Sequence, residues 1–160
     1  MIIVLMGVTG AGKTTIGLLL AEELGWTFYD ADDFHSRSNV EKMRRGEPLT
    51  DDDRVAWLDS LEALIRTKLL SQTNIVLACS ALKASYRSRL LIDGQVRLVY
   101  LKSTRSLIER RLGERRGHYM NPSLIESQFA ILEEPERAIV LDAAGSTGDV
   151  VAEIREKLRI

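Results

Sequence analysis

The chain has 160 residues, with 22 Lys and Arg against 23 Asp and Glu, so its formal net charge is −1. This length suits a single domain over residues 1–160 with a buried core, and the near-neutral charge gives no sign of a nucleic-acid or acidic-membrane partner. Cys79 is the only cysteine, which excludes an intrachain disulfide and favours a reducing compartment, and no apolar stretch approaches the roughly 20 residues of a membrane helix.

The first element is an apolar run at residues 2–6, followed directly by a glycine-rich motif. Residues 7–14 read G-V-T-G-A-G-K-T, which fits G-x-x-x-x-G-K-[ST] at every fixed position. Glycines let backbone N–H groups approach phosphates, and the helix that follows presents its positive end to them. The run therefore predicts a strand and the motif a nucleoside triphosphate site. Since the motif begins at residue 7, we expect no targeting segment and a cytoplasmic protein.

The motif also assigns roles within the loop. Lys13 can reach the β- and γ-phosphates, and the Thr14 hydroxyl can ligate Mg²⁺. The predicted nucleotide contacts are Gly7, Val8, Thr9, Gly10, Ala11, Gly12, Lys13, Thr14 and Thr15.

Four further apolar runs alternate with helix-length segments along the chain. The runs are short and not alternating in polarity, as expected for strands buried on both faces; they lie at 26–29, 75–79, 96–101 and 138–141. Helices are predicted at 15–24, from 51 onward, and at 81–91, 104–115, 122–132 and 147–158. This alternation predicts an α/β fold with a parallel sheet covered on both faces.

The helix beginning near residue 51 has the clearest start signal. Residues 50–53, T-D-D-D, read as a capping box with three acids at the positive end of the helix. Its expected buried stripe is Val55, Leu58, Leu61 and Ile65. Gly25 is placed to end the first helix. Trp26 and Trp57 are expected to be packing residues.

Acidic residues follow the second predicted strand, at the edge where open α/β sheets bind ligands. Asp32 is our candidate to hold and deprotonate an acceptor hydroxyl facing the γ-phosphate. Asp30, expected on the same face of an extended segment, can orient Mg²⁺ through water. For Asp33 we favour a plain interpretation, a solvated loop or helix cap. His35 is equally consistent with a backbone-bonded loop histidine and with a contact to a substrate hydroxyl.

Three basic residues, Arg54, Lys83 and Arg87, each have a functional and a plain interpretation. Lys83 and Arg87 lie one turn apart after the third strand and can both face the site, where a guanidinium suits a carboxylate or phosphate. Arg54 ends the acidic cap, and its plain interpretation is a surface ion pair. Taken singly, each is more often a solvated helix charge.

Arginines also crowd residues 110–121, a segment that contains G-H-Y-M. The plain interpretation is a solvated basic helix. The functional interpretation is a mobile lid that brings positive charge over the phosphates and excludes water, because an open kinase site would hydrolyse ATP. Arg111 and Arg115, one turn apart, are the predicted catalytic phosphate contacts.

Together these motifs resemble the gluconate kinase family, small P-loop enzymes that phosphorylate D-gluconate on its 6-hydroxyl. The matching pieces cover nearly the whole chain: G-V-T-G-A-G-K-T, F-Y-D-A-D-D-F-H, N-V-E-K-M, G-E-P-L-T-D-D-D-R, A-C-S-A-L-K-x-x-Y-R, R-x-G-H-Y-M and Q-F-x-x-L-E-x-P. The combination of D-A-D-D-F-H, C-S-A-L-K and G-H-Y-M is specific to this family. One departure is Ser36, where many relatives have proline, but it removes no reacting group.

The resemblance implies the fold of nucleoside monophosphate kinases, a five-stranded parallel sheet flanked by helices with a mobile lid. It implies ATP with Mg²⁺ at residues 7–14, and a homodimer. The substrate contacts that it implies are Asp32, His35, Arg54, Lys83, Arg87 and, from the lid, His118.

Three alternatives stay open from the sequence. Shikimate kinase shares the P-loop and a D-x-D after the second strand, but its G-G-G substrate stretch is absent here. A nucleoside or nucleotide kinase is the second alternative. A nucleotide-binding regulatory module is the third, and intact Lys13, Thr14 and Asp32 argue against it.

Overall fold

A parallel β-sheet organises the computed structural model, which describes residues 1–114 and 122–160. Its five strands are β1 (Ile2–Met6), β2 (Thr27–Asp30), β3 (Ile75–Ala78), β4 (Val96–Lys102) and β5 (Ile139–Asp142). Their order is β2-β3-β1-β4-β5, and each neighbouring pair is parallel. The predicted five-stranded parallel sheet is therefore confirmed, and each predicted strand lies within one residue of its observed bounds.

Seven helices and one short 3₁₀ helix connect the strands within the described residues. They are α1 (Lys13–Leu24), the 3₁₀ helix (Ala31–Phe34), α2 (Arg37–Arg44), α3 (Asp51–Leu70), α4 (Ala84–Leu90), α5 (Arg105–Glu114), α6 (Pro122–Ile131) and α7 (Thr147–Leu158). The 3₁₀ helix and α2 were not predicted; the 3₁₀ helix has only four residues, and α2 has only Val40 and Met43 as large apolar residues. Across 1–114 and 122–160, none of the helices has the length and apolar character to cross a membrane.

The core consists of two layers, one on each face of the sheet. Side chains of β1 alternate between them: Ile3 and Leu5 pack with α1, α5 and α7, while Ile2, Val4 and Met6 pack with α3 and α4. All five residues of β1 are fully buried. Because burying one such side chain contributes roughly 1.5–3 kcal/mol, the central strand is firmly anchored, and so is the loop that begins at its end.

The start of α3 forms as its sequence predicts. The Thr50 side chain accepts a hydrogen bond from the Asp53 backbone N–H, and the Asp53 carboxylate accepts one from the Thr50 N–H. The predicted stripe is wrong at Val55, which is 50% exposed; Trp57 takes its place beside Leu58, Leu61 and Ile65. With about 100° between successive helical residues, Val55 lies roughly a quarter-turn away from the centre of that face.

Gly25 ends α1 in the left-handed conformation, with φ of 65°, as predicted. Trp57 and Cys79 are buried, and Trp26 packs partly buried against the core. At the carboxyl edge of the sheet, three segments come together: the loop after β1, the acidic segment after β2 and residues 79–83 after β3.

Candidate active site

Three adjoining cavities follow the carboxyl edge of the sheet. The flank cavity, about 320 Å³, lies between the P-loop, Arg111 and residues 143–147. The central cavity, about 400 Å³, contains Lys13, Thr14, Asp30 and Asp32. The distal cavity, about 470 Å³, extends toward α3. Gly10, Gly12 and Thr15 line both the flank and central cavities; Thr9, Asp32 and Ser80 line both the central and distal cavities. The three cavities therefore form one continuous cleft.

The loop after β1 folds as a phosphate-binding loop. Gly7, Gly10 and Gly12 have φ of 151°, 83° and 99°, in the range that glycine tolerates and L side chains rarely adopt. A Cβ on Gly7 would lie 2.9 Å from the Leu101 carbonyl oxygen, so the close approach to β4 also requires glycine. Because Gly12 caps the N-terminus of α1, the first N–H groups of that helix point toward the central cavity.

Lys13 bends back over this loop. Its Nζ donates to the carbonyl oxygens of Gly7 and Val8, at 3.0 and 3.1 Å. Burial lowers the pKa of Lys13, and the nearby Asp32 carboxylate opposes that shift. The ammonium group is thus held beside the phosphate-binding loop, where it could also bind an anion.

Thr14 and Asp30 form a pair of oxygen ligands in the central cavity. Thr14 Oγ1 donates to Asp30 Oδ2 at 3.0 Å, and Asp30 Oδ1 accepts from the Asp32 N–H at 3.1 Å. In the part of the chain that is described, no three His, Cys, Asp or Glu side chains cluster as a metal site. A hydroxyl beside one carboxylate suits Mg²⁺, which takes few protein ligands and completes its shell with water and substrate phosphates.

Asp32 lies where the central and distal cavities meet. The segment is not extended as predicted: β2 ends at Asp30 and the chain turns into the 3₁₀ helix, yet both carboxylates still line the central cavity. Asp32 keeps solvent access through the open cleft. Partial removal of its carboxylate from water raises the pKa of Asp32, and the Asp30 charge raises it further.

His35 lines the distal cavity and stacks on Trp57. The ring centroids are 4.7 Å apart and the planes differ by 9°. Trp57 is fixed in turn, because its Nε1 donates to the Ala31 carbonyl oxygen at 2.7 Å. His35 Nδ1 is buried without a hydrogen-bond partner among the described residues. Burial, with the Arg54 charge, lowers the pKa of His35 to about 4, so the imidazole is neutral near pH 7.

A cationic cluster forms the other wall of the distal cavity. Lys83 Nζ donates to both carboxylate oxygens of Asp51, at 2.8 and 2.9 Å, and the Tyr86 hydroxyl donates to the same carboxylate. Arg54 Nη1 donates to the Leu49 carbonyl oxygen at 2.6 Å, and its guanidinium lies over the Tyr86 ring. Arg54 therefore contacts the backbone and an aromatic ring. The plain interpretation of the sequence had been a surface ion pair for this residue.

The expectation that Lys83 and Arg87 both face the cavity is wrong for Arg87. Lys83 precedes α4 and lines the distal cavity, whereas Arg87 is 7% exposed and does not line it. Arg87 Nη1 donates to the carbonyl oxygens of Ala81 and Leu82, at 3.0 and 2.9 Å, and burial lowers the pKa of Arg87. Ala81 has a positive φ of 47°, so Arg87 stabilises a strained turn beside the cavity.

Arg111 contacts the P-loop itself. Its Nη1 donates to the carbonyl oxygens of Gly10 and Ala11, at 3.4 and 3.3 Å, and its Nη2 donates to the carbonyl oxygen of Ala143. The side chain lines the flank cavity, so the predicted phosphate contact stays a prediction. Arg115 and His118, with most of the predicted lid, lie outside the described residues.

Sequence reasoning missed Gln128 on α6. Its Oε1 accepts from the Thr9 N–H at 2.7 Å, and its Nε2 donates to Thr9 Oγ1 at 2.9 Å. The contact joins residues 119 positions apart, and the one available signal was the Q-F-x-x-L-E-x-P piece, to which we assigned no role. Tyr86 was also missed: it belongs to the quoted motif A-C-S-A-L-K-x-x-Y-R, but we assigned it no role.

Comparisons with known proteins find related sequences and structures. A family model described as shikimate kinase matches residues 9–159. A protein of Xenopus tropicalis named "Probable gluconokinase" is 45% identical over 174 residues, covering 96% of this chain and 91% of that protein. The solved structure of a sugar kinase from Janibacter sp. HTCC2649 is 39% identical with a TM-score of 0.91, covering 99% of this chain and 94% of that one. A gluconokinase structure from Sinorhizobium meliloti 1021 is 36% identical with a TM-score of 0.85, covering 98% and 94%.

Proposed function

The chain belongs to the gluconokinase family, and from this premise we propose that it transfers the γ-phosphoryl group of ATP to the 6-hydroxyl of D-gluconate. The products are 6-phospho-D-gluconate and ADP. The observation that carries the proposal is the position of Asp32, at the junction between the cavity of the P-loop and the distal cavity. An acceptor hydroxyl bound at that junction would lie beside the Asp32 carboxylate, which could act as its base, and next to the central cavity, where we expect the γ-phosphate.

The distal cavity matches an anionic polyol. Gluconate carries one carboxylate and a row of hydroxyls, and the cavity offers Lys83 and Arg54 near one wall and Asp32 and His35 near the other. We assign the substrate carboxylate to the cationic cluster and the hydroxyls to Asp32 and His35. A neutral imidazole suits a hydroxyl because it can both donate and accept a hydrogen bond. The Lys83–Asp51 ion pair is exposed, so exchanging Asp51 for a substrate carboxylate would cost little.

The reaction steps assigned to this chain are positioning, proton removal and charge stabilisation. Asp32 orients the 6-hydroxyl and takes its proton as the new P–O bond forms and the bond to ADP breaks. Lys13 leaves the Gly7 and Val8 carbonyls and binds the transferring phosphoryl group. Thr14 and Asp30 would hold Mg²⁺, which, when bound, neutralises charge on the β- and γ-phosphate oxygens.

We assign the nucleoside to the flank cavity. It adjoins the P-loop through Gly10 and Gly12, and Arg111 spans from the loop to Ala143 across it. Arg111 would thereby stabilise the loop. Residues 110–121 would act as the lid, and Arg115 and His118 would contact the substrates from it. We also propose that residues 1–160 act as one kinase domain, as a homodimer in the cytoplasm, as the family resemblance and the single cysteine suggest.

The test is an acceptor panel. ADP release with Mg·ATP is measured against D-gluconate, shikimate, a set of nucleoside monophosphates and no acceptor, and products are identified by mass. We expect gluconate-dependent release and a monophosphorylated gluconate. Turnover of shikimate or a nucleotide would overturn the acceptor assignment while keeping the P-loop. ATP binding without any turnover would favour the regulatory module.

A further inference from the structure

Helix α6 and the residues that follow it contact both halves of the cleft. Toward its middle, the Gln128 amide makes two hydrogen bonds to Thr9 in the phosphate-binding loop. Just beyond its end, Glu133 Oε2 accepts from the Ala84 N–H at 2.7 Å, and the Glu133 N–H donates to the Leu82 carbonyl oxygen at 2.9 Å. These contacts flank Lys83, which lines the distal cavity. One helix therefore connects the donor loop with the segment assigned to the acceptor.

Gln128 also lines the cavity that we assign to the acceptor. It lines the distal cavity together with Thr9, Asp32 and His35, and Thr9 lines the central cavity as well. Both functions of the amide are occupied by one residue of the loop: its oxygen accepts from the Thr9 backbone, and its nitrogen donates to the Thr9 hydroxyl. Because the amide is planar, this pair of bonds fixes the orientation of Thr9 relative to α6.

The position of Thr9 matters because P-loops bind phosphates through backbone N–H groups. Holding the Thr9 N–H on Gln128 sets the path of the loop immediately before Gly10, Ala11 and Gly12. A change in α6 caused by an acceptor in the distal cavity would thus reach the loop through two hydrogen bonds.

We propose that Gln128 is a positioning residue that couples acceptor occupancy of the distal cavity to the arrangement of the phosphate-binding loop. This inference rests on the proposed function. It adds a link between the two substrate sites, with Thr9 as the receiving residue and Glu133 holding the far end of α6 against the acceptor segment. By linkage, a nonhydrolysable ATP analogue and gluconate must then change each other's affinity by the same factor.

The experiment measures this coupling factor by calorimetry, as the ratio of the Kd of gluconate without and with the magnesium complex of the ATP analogue. The Kd of the analogue is then measured without and with gluconate, and the two ratios should agree. The variants are Gln128→Leu, which keeps size but removes both hydrogen bonds, Thr9→Val, which removes the hydroxyl, and Thr9→Ser, which keeps it. We expect the coupling factor to fall toward one in Gln128→Leu and to fall part of the way in Thr9→Val, which keeps the bond from the Thr9 N–H to Gln128 Oε1. We also expect kcat to fall about tenfold in Gln128→Leu, since two hydrogen bonds are lost. Thr9→Ser should retain the wild-type factor.

Glu126→Gln is the matched control, because Glu126 lies exposed on the same helix. It should keep both the factor and kcat. A merely structural role for Gln128 would lower the melting temperature and leave the factor at its wild-type value; this result overturns the inference. If Gln128→Leu fails to fold, Gln128→Met decides, because it too removes the side-chain amide, and an unchanged coupling factor in Gln128→Met overturns the inference. Wild-type protein without gluconate turnover would refute the proposed function, whereas active wild type with unaffected variants would refute the coupling alone.

Discussion

The imidazole of His35 lies flat against the indole of Trp57, with ring centroids 4.7 Å apart and ring planes 9° from parallel. The indole is held by its own hydrogen bond to the Ala31 carbonyl oxygen, next to Asp32. Trp57 therefore fixes both His35 and the turn that carries Asp32, two residues that we assign to binding of the acceptor. Stacking orients the histidine, and the carbonyl contact orients the turn that carries the aspartate.

Replacing Trp57 with Phe should lower both stability and gluconate affinity. The variant leaves the buried Ala31 carbonyl without its partner and creates a small cavity, so we expect a loss of about 2–4 kcal/mol in the free energy of unfolding. Urea unfolding measures it, and steady-state kinetics should show a raised KM for gluconate. Trp26→Phe is the control, since Trp26 is only partly buried and remote from the distal cavity. Equal losses in the two variants would contradict the role given to Trp57.

His35 should make the folded protein sensitive to acid. Its pKa is lowered from 6.5 to about 4 in the folded state, so between these values the unfolded chain binds a proton there that the folded chain does not. Stability contributed by the neutral imidazole is thus lost as pH falls from 6.5 to about 4. In chemical denaturation across this range, His35→Gln should lose less stability than wild type. Parallel profiles for the two proteins would exclude the effect.

Much of the fold follows from local patterns in the sequence. Residues 2–6 form an apolar run that is too short for a helix, and G-V-T-G-A-G-K-T after it specifies a phosphate loop through its glycines and Lys13. The capping box at residues 50–53 requires only neighbours in sequence. Because parallel strands place their carboxyl ends at one edge, the order of strands and acidic or basic residues is enough to predict that Asp30, Asp32 and Lys83 lie together.

What the sequence did not reveal depends on long-range packing. Val55 satisfies a helical stripe in the sequence, but Trp57 and not Val55 lies on the buried face of α3. Arg87 and Lys83 look equivalent in the sequence, yet Arg87 is buried and bonded to the Ala81 and Leu82 carbonyl oxygens, while Lys83 lines the distal cavity. The Gln128–Thr9 contact joins residues 119 positions apart, and no local pattern specifies such a pairing.

Lys83 and Arg87 should separate into a binding and a structural residue. Lys83→Met removes an exposed ion pair, so stability should change by less than about 1 kcal/mol while the KM for gluconate rises about tenfold or more. Arg87→Met leaves two carbonyl oxygens without their buried donor, and we expect a loss of roughly 1–3 kcal/mol in unfolding free energy. Kinetics and urea unfolding of both variants test this. The opposite pattern would exchange the two roles.

Asp32→Asn should abolish most turnover without weakening the fold. Loss of a general base reduces kcat by about 10²–10⁴-fold. Since burial and Asp30 raise the pKa of Asp32, the ionised carboxylate opposes folding at neutral pH, and the neutral amide should unfold at the same or a higher temperature. In wild type, kcat should fall with acid around a pKa above the ordinary 3.8 of this carboxyl.

Asp33→Asn serves as the control for that substitution, because Asp33 is exposed and lines none of the three cavities. It should keep near-wild-type kinetics. Near-normal turnover by folded Asp32→Asn would remove Asp32 from the role of base.

The central claim is that a phosphoryl group from ATP reaches the terminal hydroxyl of gluconate. Proton-coupled ³¹P NMR of the product formed from Mg·ATP and D-gluconate tests it most directly. A phosphate ester on the 6-hydroxyl is attached to a CH₂ group, so its phosphorus should appear as a triplet, and this signal should grow far more slowly with Asp32→Asn than with wild type. A doublet would place the phosphate on a secondary hydroxyl, and inorganic phosphate alone would mean hydrolysis; either result would contradict the proposed reaction.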